Sequence, residues 1–403
     1  MTTTVSIGEL ASAGVLEVGD GYRTKRSEHG MPGYRILRVA DVGEGTISAD
    51  GPDFVSAEYR DKINSKLSEP GDVLLTTKGT VGRVAIVPEG LDPLVYSPQL
   101  CYFRVREPAK LNARYLSYWF RSAEFLRQAS HRANNTDMAA YINLADIRSL
   151  ELRLPDFAEQ RAIAEVLGAL DDKIAANTRL VDTALQLAGA HFIRAAFEAP
   201  LSDMTFADVA DIGGGGTPKT KVEEYWGDEI DWATPTDVTA LHGPYLSSTS
   251  RRITQAGLDN CSSALYPTGS ILMTSRATIG AFAVAQSPVA VNQGFIVVNS
   301  KGDVPQWWLF HEMQRRVPEF VSHANGATFL ELSRGKFKNF HVHLAAAEAM
   351  QRFDETAGAL HNRAAAAETE SASLAATRDA LLPLLMSGKV TVKDAESVVE
   401  EAV

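Results

Sequence analysis

The sequence has little of what marks a secreted, membrane or metal-binding protein. It holds only two cysteines, Cys101 and Cys261. Neither sits in a CxxC pair or a Cys/His cluster, so neither a disulfide framework nor a structural zinc site is expected. The N-terminal Met1-Thr2-Thr3-Thr4 lacks the basic stretch and apolar run of a secretory signal. No apolar run approaches the roughly eighteen residues of a membrane span. Both thiols are therefore expected to be reduced and the chain cytoplasmic. Excess positive charge is also missing. The net charge is −11, from 39 Lys and Arg against 50 Asp and Glu, which argues against a simple nucleic-acid binder with a basic face.

The chain has 403 residues, 45% of them hydrophobic and 22% charged. That length suggests two to four domains, and that composition a packed core in each. The acid is unevenly spread. Residues 1–155 balance 19 basic against 19 acidic side chains, whereas residues 346–403 hold 5 against 10. Within residues 104–153, nine Lys and Arg face five acids, so a locally positive face is compatible with the acidic total.

An internal repeat organises the rest. Gly71-Asp72-Val73-Leu74-Leu75-Thr76-Thr77-Lys78-Gly79-Thr80-Val81-Gly82 matches Gly269-Ser270-Ile271-Leu272-Met273-Thr274-Ser275-Arg276-Ala277-Thr278-Ile279-Gly280. The positions are identical or chemically close except Asp72/Ser270 and Gly79/Ala277. Asp41-Val42 pairs with Asp237-Val238 upstream, and Gln99 with Gln293 downstream. Matches in the same order indicate two copies of one domain. Each copy reads as short β runs broken by turn residues. A helical stretch with aromatics follows, Tyr115–Phe120 and Trp307–Phe310.

Two long segments differ. From Asp156, where Glu159 completes a helix-start signature, Ile163, Leu167, Leu170, Ile174, Asn177, Val181, Ala184, Ala188, His191 and Ala195 recur at alternating spacings of four and three. That is a heptad seam. The same spacing places Phe353, Ala357, Leu360, Ala364, Ala367, Ser371, Leu374, Arg378, Leu381 and Leu385 on a second seam. Pro383 is expected to kink the second helix near its end. Asn177 either sets the helix register or faces solvent. The fold class expected is α+β: two similar mixed α/β domains separated by a pair of long antiparallel coiled-coil helices. The boundaries read as 1–155 for the first domain, 156–200 for the central helix, 201–345 for the second domain, 346–390 for the C-terminal helix and 391–403 for an acidic tail.

Several stretches resemble the specificity subunit of type I restriction–modification systems. Leu154-Pro155-Asp156-Phe157-Ala158-Glu159-Gln160-Arg161 and its continuation through Leu170-Asp171-Asp172-Lys173-Ile174 are similar to the start of that family's central helix. Gly215-Gly216-Thr217-Pro218-Lys219-Thr220, Glu224-Tyr225-Trp226-Gly227-Asp228, Trp232-Ala233-Thr234-Pro235-Thr236-Asp237 and Leu272–Gly280 with Val291-Asn292-Gln293-Gly294-Phe295 carry the resemblance in the second domain. Leu381-Leu382-Pro383-Leu384-Leu385-Met386-Ser387-Gly388 is similar to the end of the second helix. The first domain departs more, with Gly19-Asp20-Gly21-Tyr22-Arg23-Thr24 where the second has its Gly-Thr-Pro-Lys motif. The resemblance implies two target recognition domains, each reading half of a split DNA site, with the helices setting the gap. It implies that methyltransferase subunits dock on this scaffold and that a translocase–nuclease subunit can join. S-adenosylmethionine, ATP and Mg are then expected in the partner subunits and no cofactor or metal on this chain.

Base readout takes Arg or Lys for guanine and Asn or Gln for adenine, while hydroxyls hold phosphates. The candidates for DNA contact are therefore Thr76, Thr77, Lys78, Thr80 and Gln99 in the first copy. In the second they are Thr217, Lys219, Thr274, Ser275, Arg276, Thr278, Asn292 and Gln293. For Thr76, Thr274 and Ser275 strand propensity is the alternative; for Lys78 and Arg276 it is a solvated charge. Helix pairing is expected from Ile163, Leu167, Leu170, Ile174, Val181, Phe353, Leu360, Leu374 and Leu381.

Other signals are weaker. Gly213–Gly216 before Thr217-Pro218-Lys219 is neither GxxxxGK[ST] nor GxGxxG, and reads as a flexible turn. His341-Val342-His343 lacks a third ligand, and His311-Glu312 lacks the second histidine of HExxH. The Asn-Pro-Pro-aromatic motif of adenine methyltransferases is absent, so the chain is expected to be non-catalytic. An enzyme with an unrecognised motif remains a rival, as does an acidic protein-binding adaptor without direct DNA readout.

Overall fold

A computed structural model describes residues 3–132, 141–197, 199–326 and 330–402. The chain divides into two compact units, Met1–Lys173 with Ser373–Val403, and Ile174–Ala372.

In the first unit, Thr3–Ser6 pairs antiparallel with Glu151–Leu154. Ser6 ends that strand and caps the helix Ile7–Ser12 in a reciprocal box with Glu9. A four-stranded sheet follows in the order Leu16–Asp20, Leu100–Val105, Val73–Thr76, Val84–Ile86. A three-stranded sheet sets Gly33–Leu37 between Phe54–Ser56, antiparallel, and Leu94–Tyr96, parallel.

The second unit repeats the plan. Leu201–Thr205 pairs with His341–His343. The larger sheet runs Ala210–Gly213, Phe295–Ser300, Ile271–Thr274, Phe282–Ala285, with Tyr245–Leu246 added at its edge. Trp226–Ala233 lies between Arg252–Ile253, antiparallel, and Val289–Val291, parallel. Both sheet faces are covered, so the central strands read as continuous apolar runs. Ile271, Met273, Ile296 and Val298 face Phe192, Trp308 and Phe310. The alternate residues Leu272, Ala283 and Val297 face Val238 and Val291. Period-two alternation thus splits one strand between two cores.

Glycine matters at two kinds of place. Gly71 and Gly269 enter their strands at φ 85 and 86, a left-handed turn that a side chain would strain. Gly213–Gly216 are not a flexible turn, as their sequence suggested. None has positive φ among the described residues, and a Cβ on Gly215 would lie 1.8 Å from the Val291 carbonyl oxygen. Gly21 makes the same close approach in the first unit, 2.0 Å from the Ser97 carbonyl oxygen. Close packing of backbone on backbone explains Gly215 and Gly21, while the Tyr266 and Ser262 side chains crowd Gly213 and Gly216.

The long helices run Phe157–Ala195 and Ala347–Ser387, 39 and 41 residues, each about 60 Å at 1.5 Å per residue. Glu159 N–H donates to the Asp156 carboxylate at the first helix's start, 3.0 Å. The helices pack antiparallel within each unit. In the first unit, Arg378 Nη1 donates to Asp171 Oδ1 at 2.7 Å. In the second, Asn177 Nδ2 donates to Glu370 Oε2 at 2.8 Å, and Val181 and Ala184 pack with Ala364 and Ala367. Asn177 is buried and faces the partner helix rather than solvent.

Ile163, Leu167, Leu170, Val181, Phe353, Leu374 and Leu381 are buried, whereas Ile174 and Leu360 are half-buried. The first seam slips by one residue at its end: Phe192 and Ala196 are buried where the heptad pointed to His191 and Ala195. A helix of 3.6 residues per turn drifts against a seven-residue repeat. The second helix continues through Pro383 to Ser387. The 391–403 segment carries a helix, Val392–Ala402, capped by Thr391 and Asp394, and is therefore more than a tail. No described helix is long and apolar enough to cross a membrane.

Each unit fastens its sheets to its helices with different chemistry at matching places. In the first, the Tyr115 hydroxyl donates to the Arg153 carbonyl, and the Tyr118 hydroxyl to Asp171, 2.7 Å. In the second, Trp308 Nε1 donates to the His343 carbonyl. His311 then meets His361 nitrogen to nitrogen at 3.0 Å, and Trp307 stacks on His361 with ring centroids 3.7 Å apart. Burial pushes the His311 imidazole down to about 4. Burial, helped by neighbouring His311, pushes His361 down to about 3. Both rings are neutral at physiological pH.

Candidate nucleic-acid interface

The repeated turn follows the strand Val73–Thr76 in the first copy and Ile271–Thr274 in the second. Its hydroxyls divide into two groups. Thr76 and Thr274 are fully buried, and Thr77 and Ser275 nearly so. Thr76 Oγ1 donates to the Thr80 carbonyl and accepts from Arg83 N–H. Thr274 Oγ1 accepts from Ala281 N–H at 3.0 Å, and Thr77 Oγ1 donates to the Gln99 carbonyl at 3.0 Å. Thr76, Thr77 and Thr274, expected to touch DNA, hold the turn closed from inside, while Ser275 is bound through its backbone to Gly294 and Leu332. A buried hydroxyl committed to its own backbone has no surface to offer a ligand.

The exposed positions are Lys78, Thr80 and Gln99 in the first copy and Thr217, Lys219, Arg276, Thr278 and Gln293 in the second, with Asn292 half-buried. Lys78, Thr80 and Gln99 come together in one groove, joined by Arg38 and Arg83. Arg276 and Gln293 line a groove beside the second copy's turn with Ser275, Glu331, Ser333 and Arg334. The Thr217 hydroxyl donates to Gln293 Oε1 at 2.7 Å, which ties the Gly-Thr-Pro-Lys segment to this groove. Lys219 and Thr278 are exposed but do not line it. Asn292 Oδ1 accepts from Gly294 N–H at 2.7 Å and so supports the local turn.

Sheet register corrects one correspondence. Thr76 lies opposite Leu100, and Thr274 opposite Phe295. Gln99 therefore corresponds to Gly294, and Gln293 to Pro98. The two glutamines are neighbours in register rather than counterparts. Arg38, Arg83 and Arg334 were not singled out from the sequence. Arg38 had a signal: it precedes the helical turn that Asp41 caps, the counterpart of Thr234 before Asp237. Arg38 pairs with the exposed Asp53 at 2.5 Å.

Both grooves carry cations and amides, and no buried nucleophile–base pair is among their described lining residues. Among the described residues no cluster of three or more His, Cys, Asp or Glu could hold a metal. Glu312, beside His311, is fully buried and accepts from Arg315 at 2.7 Å and pairs with His343 at 2.7 Å. His341 Nδ1 lies 3.0 Å from the Ser202 carbonyl. Both histidines of the His341–His343 strand thus have structural hydrogen bonds.

Comparison with known proteins agrees with this layout. Residues 3–184 and 201–359 match the family model of the type I restriction modification DNA specificity domain. The type I restriction enzyme MjaIX specificity subunit of Methanocaldococcus jannaschii is 35% identical over 147 residues, 36% of this chain and 34% of that protein. The MjaVIII specificity subunit of the same organism is 26% identical over 166 residues, 40% of this chain and 38% of that protein. The chain thus spans little more than a third of either relative in these matches. The putative MjaX specificity subunit is 20% identical over 405 residues, covering 94% of this chain and 92% of that one. The crystal structure of a type I restriction–modification S subunit from M. genitalium superposes with a TM-score of 0.61 at 15% identity, over 96% of both chains, which is a likeness of fold. With a family match on each copy of the repeat, together covering most of the sequence, the chain belongs to the type I restriction modification DNA specificity domain family.

Proposed function

We propose that this chain is the site-choosing subunit of a type I restriction–modification complex. Each copy of the repeat acts as a target recognition domain and reads one half of a split site in double-stranded DNA. The long helices set the gap between the halves and carry the methyltransferase subunits, and a translocase–nuclease subunit can join. Adenine methylation with S-adenosylmethionine, and any cleavage that uses ATP and Mg, belong to those cytoplasmic partners. This chain supplies the choice of site and no catalytic group.

The observation that carries the reading is that the repeated turn, in both copies, brings an exposed cation and an exposed glutamine into one groove. Lys78 and Gln99 line one, and Arg276 and Gln293 the other. These are the side-chain types that read base edges in a major groove. The acidic net charge favours an adaptor that binds only protein. The two readings part in one experiment: DNA binding by the chain mixed with its methyltransferase subunit, titrated with salt. A DNA reader loses affinity steeply as salt rises, because phosphate contacts release counterions. An adaptor shows no salt-dependent affinity for DNA. Methyl transfer by the purified chain alone would contradict the non-catalytic assignment.

A further inference from the structure

The second copy places a carboxylate against its exposed arginine. Glu331 Oε1 lies 2.8 Å from Arg276 Nη2, and both side chains are about half exposed, 45% and 47%. A surface pair of that kind adds little to stability. Yet the backbone under it is held on both sides. Arg276 and Glu331 form an antiparallel bridge. Ala277 N–H donates to the Leu330 carbonyl at 3.0 Å, and Leu332 N–H to the Ser275 carbonyl at 2.9 Å. On its other side Glu331 exchanges both backbone bonds with Asn325, at 2.9 and 2.8 Å. Ala277, next to Arg276, sits at φ 60, a left-handed conformation that costs a residue with a Cβ and tends to be kept where function needs it.

The first copy has the same frame with other side chains. Lys78 and Tyr141 form the equivalent bridge, and Ile142 N–H donates to the Thr77 carbonyl at 3.0 Å. One backbone bracket therefore presents Arg with Glu in one copy and Lys with Tyr in the other. A fixed frame with interchangeable side chains is what two heads of different specificity require.

The major-groove edge of a G·C pair offers two acceptors on guanine and then the amino donor of cytosine. An Arg–Glu couple offers the complement. We infer that Glu331 is a positioning and specificity-determining residue of the second head: it holds the Arg276 guanidinium for guanine and turns its second oxygen to the cytosine amino group. The inference rests on the DNA-reading proposal. Glu331 restrains the plane of the guanidinium before DNA arrives, which lowers the ordering cost of a two-bonded base contact. It also offsets the charge of Arg276, and so weakens attraction to phosphate of any sequence.

The test uses the full chain with its methyltransferase subunit. Methylation is read on DNA libraries in which each position of the second half-site is varied in turn, for the parent, Glu331→Ala, Arg276→Ala and the double variant. Glu331→Ala is expected to relax discrimination for G·C at a single position by about tenfold, while binding to unrelated DNA tightens. The double variant should discriminate no worse there than Arg276→Ala, since the two side chains act as one unit. If Glu331→Ala lowers the melting temperature, Glu331→Gln, which keeps the shape, is read instead. Unchanged discrimination at every position, an equal loss for all sequences, or a loss confined to an A·T position would overturn the inference. A parent complex that methylates no split motif would overturn the DNA-reading proposal itself and the inference with it.

Discussion

Asp72 and Arg104 form a buried ion pair, with Nε to Oδ1 at 2.7 Å and Nη2 to Oδ2 at 2.7 Å, where the second copy places Ser270 and Asn299. There the serine hydroxyl donates to the asparagine Oδ1 at 2.8 Å. The sheet register makes the positions equivalent, since Val73 lies opposite Phe103 and Ile271 opposite Val298. The third member changes too. The Tyr96 hydroxyl donates to Asp72 Oδ2 at 2.5 Å, and apolar Val291 takes its place in the second copy. The Asp72/Ser270 mismatch in the repeat is thus one part of an exchange of a whole polar cluster.

That exchange predicts strong coupling. Asp72→Ser alone leaves Arg104 buried with only Glu69, half exposed and 2.6 Å away, as its carboxylate partner. It should cost about 3–5 kcal/mol. Asp72→Ser with Arg104→Asn and Tyr96→Val, which copies the second unit, should recover most of that loss. Urea unfolding of the single and triple variants measures the coupling; additive losses would count against a shared cluster.

The helix seam predicts a second set of effects. Leu167 and Leu374, both at seam positions, are fully buried, so Leu167→Ala or Leu374→Ala should each cost about 2–5 kcal/mol. Exposed Leu187, off the seam at 45% exposure, should tolerate the same change within about 0.5 kcal/mol. Thermal melts of the three variants check the contrast.

The buried histidines make stability depend on pH. His311 and His361 titrate at about 4 and about 3 in the folded chain, below the usual imidazole value near 6.5. Between roughly pH 6.5 and 4 the unfolded chain therefore binds more protons than the folded one, and stability rises with pH across that window. The contribution is complete above pH ~6.5 and is lost as pH falls toward the folded values. His361→Phe keeps a ring beside Trp307 and removes one titrating group, so its stability should fall less steeply from pH 7 to 4.5. Equal slopes for parent and variant in urea titrations would contradict this account.

Removing one heptad from each long helix should change the permitted gap between half-sites while leaving both half-site sequences as they were. The methylated motif of the shortened chain reads this directly, and an unchanged gap would remove the helices' role as a ruler.

Much of this architecture was legible in the sequence because it is periodic. Strand, turn and heptad patterns report burial directly, and the repeat of Gly71–Gly82 in Gly269–Gly280 located matching strands. What was not legible depended on register or on distant segments. Gln99 and Gln293 looked equivalent because both precede an aromatic strand, but Gln99 directly precedes its strand at Leu100 whereas Gln293 stands two residues before Phe295. Thr76 and Thr274 looked like ligands because hydroxyls end their strands; only the fold shows that the turn folds back over them. Arg334 reaches the Arg276 groove from a helix near the end of the repeat, beyond any local spacing rule. Gly213–Gly216 looked flexible because composition cannot tell freedom of φ from the need for close approach.

The central claim, that two like heads read two halves of one DNA site, is tested most directly by mapping methylated adenines across the host genome. The map is made with the gene present, deleted, and carrying Arg276→Ala. The account predicts one split motif that vanishes on deletion and that loses definition in only one half, by about 1–3 kcal/mol at a single position, in the variant. A methylation map that does not depend on the gene, or a motif without a gap, would contradict it.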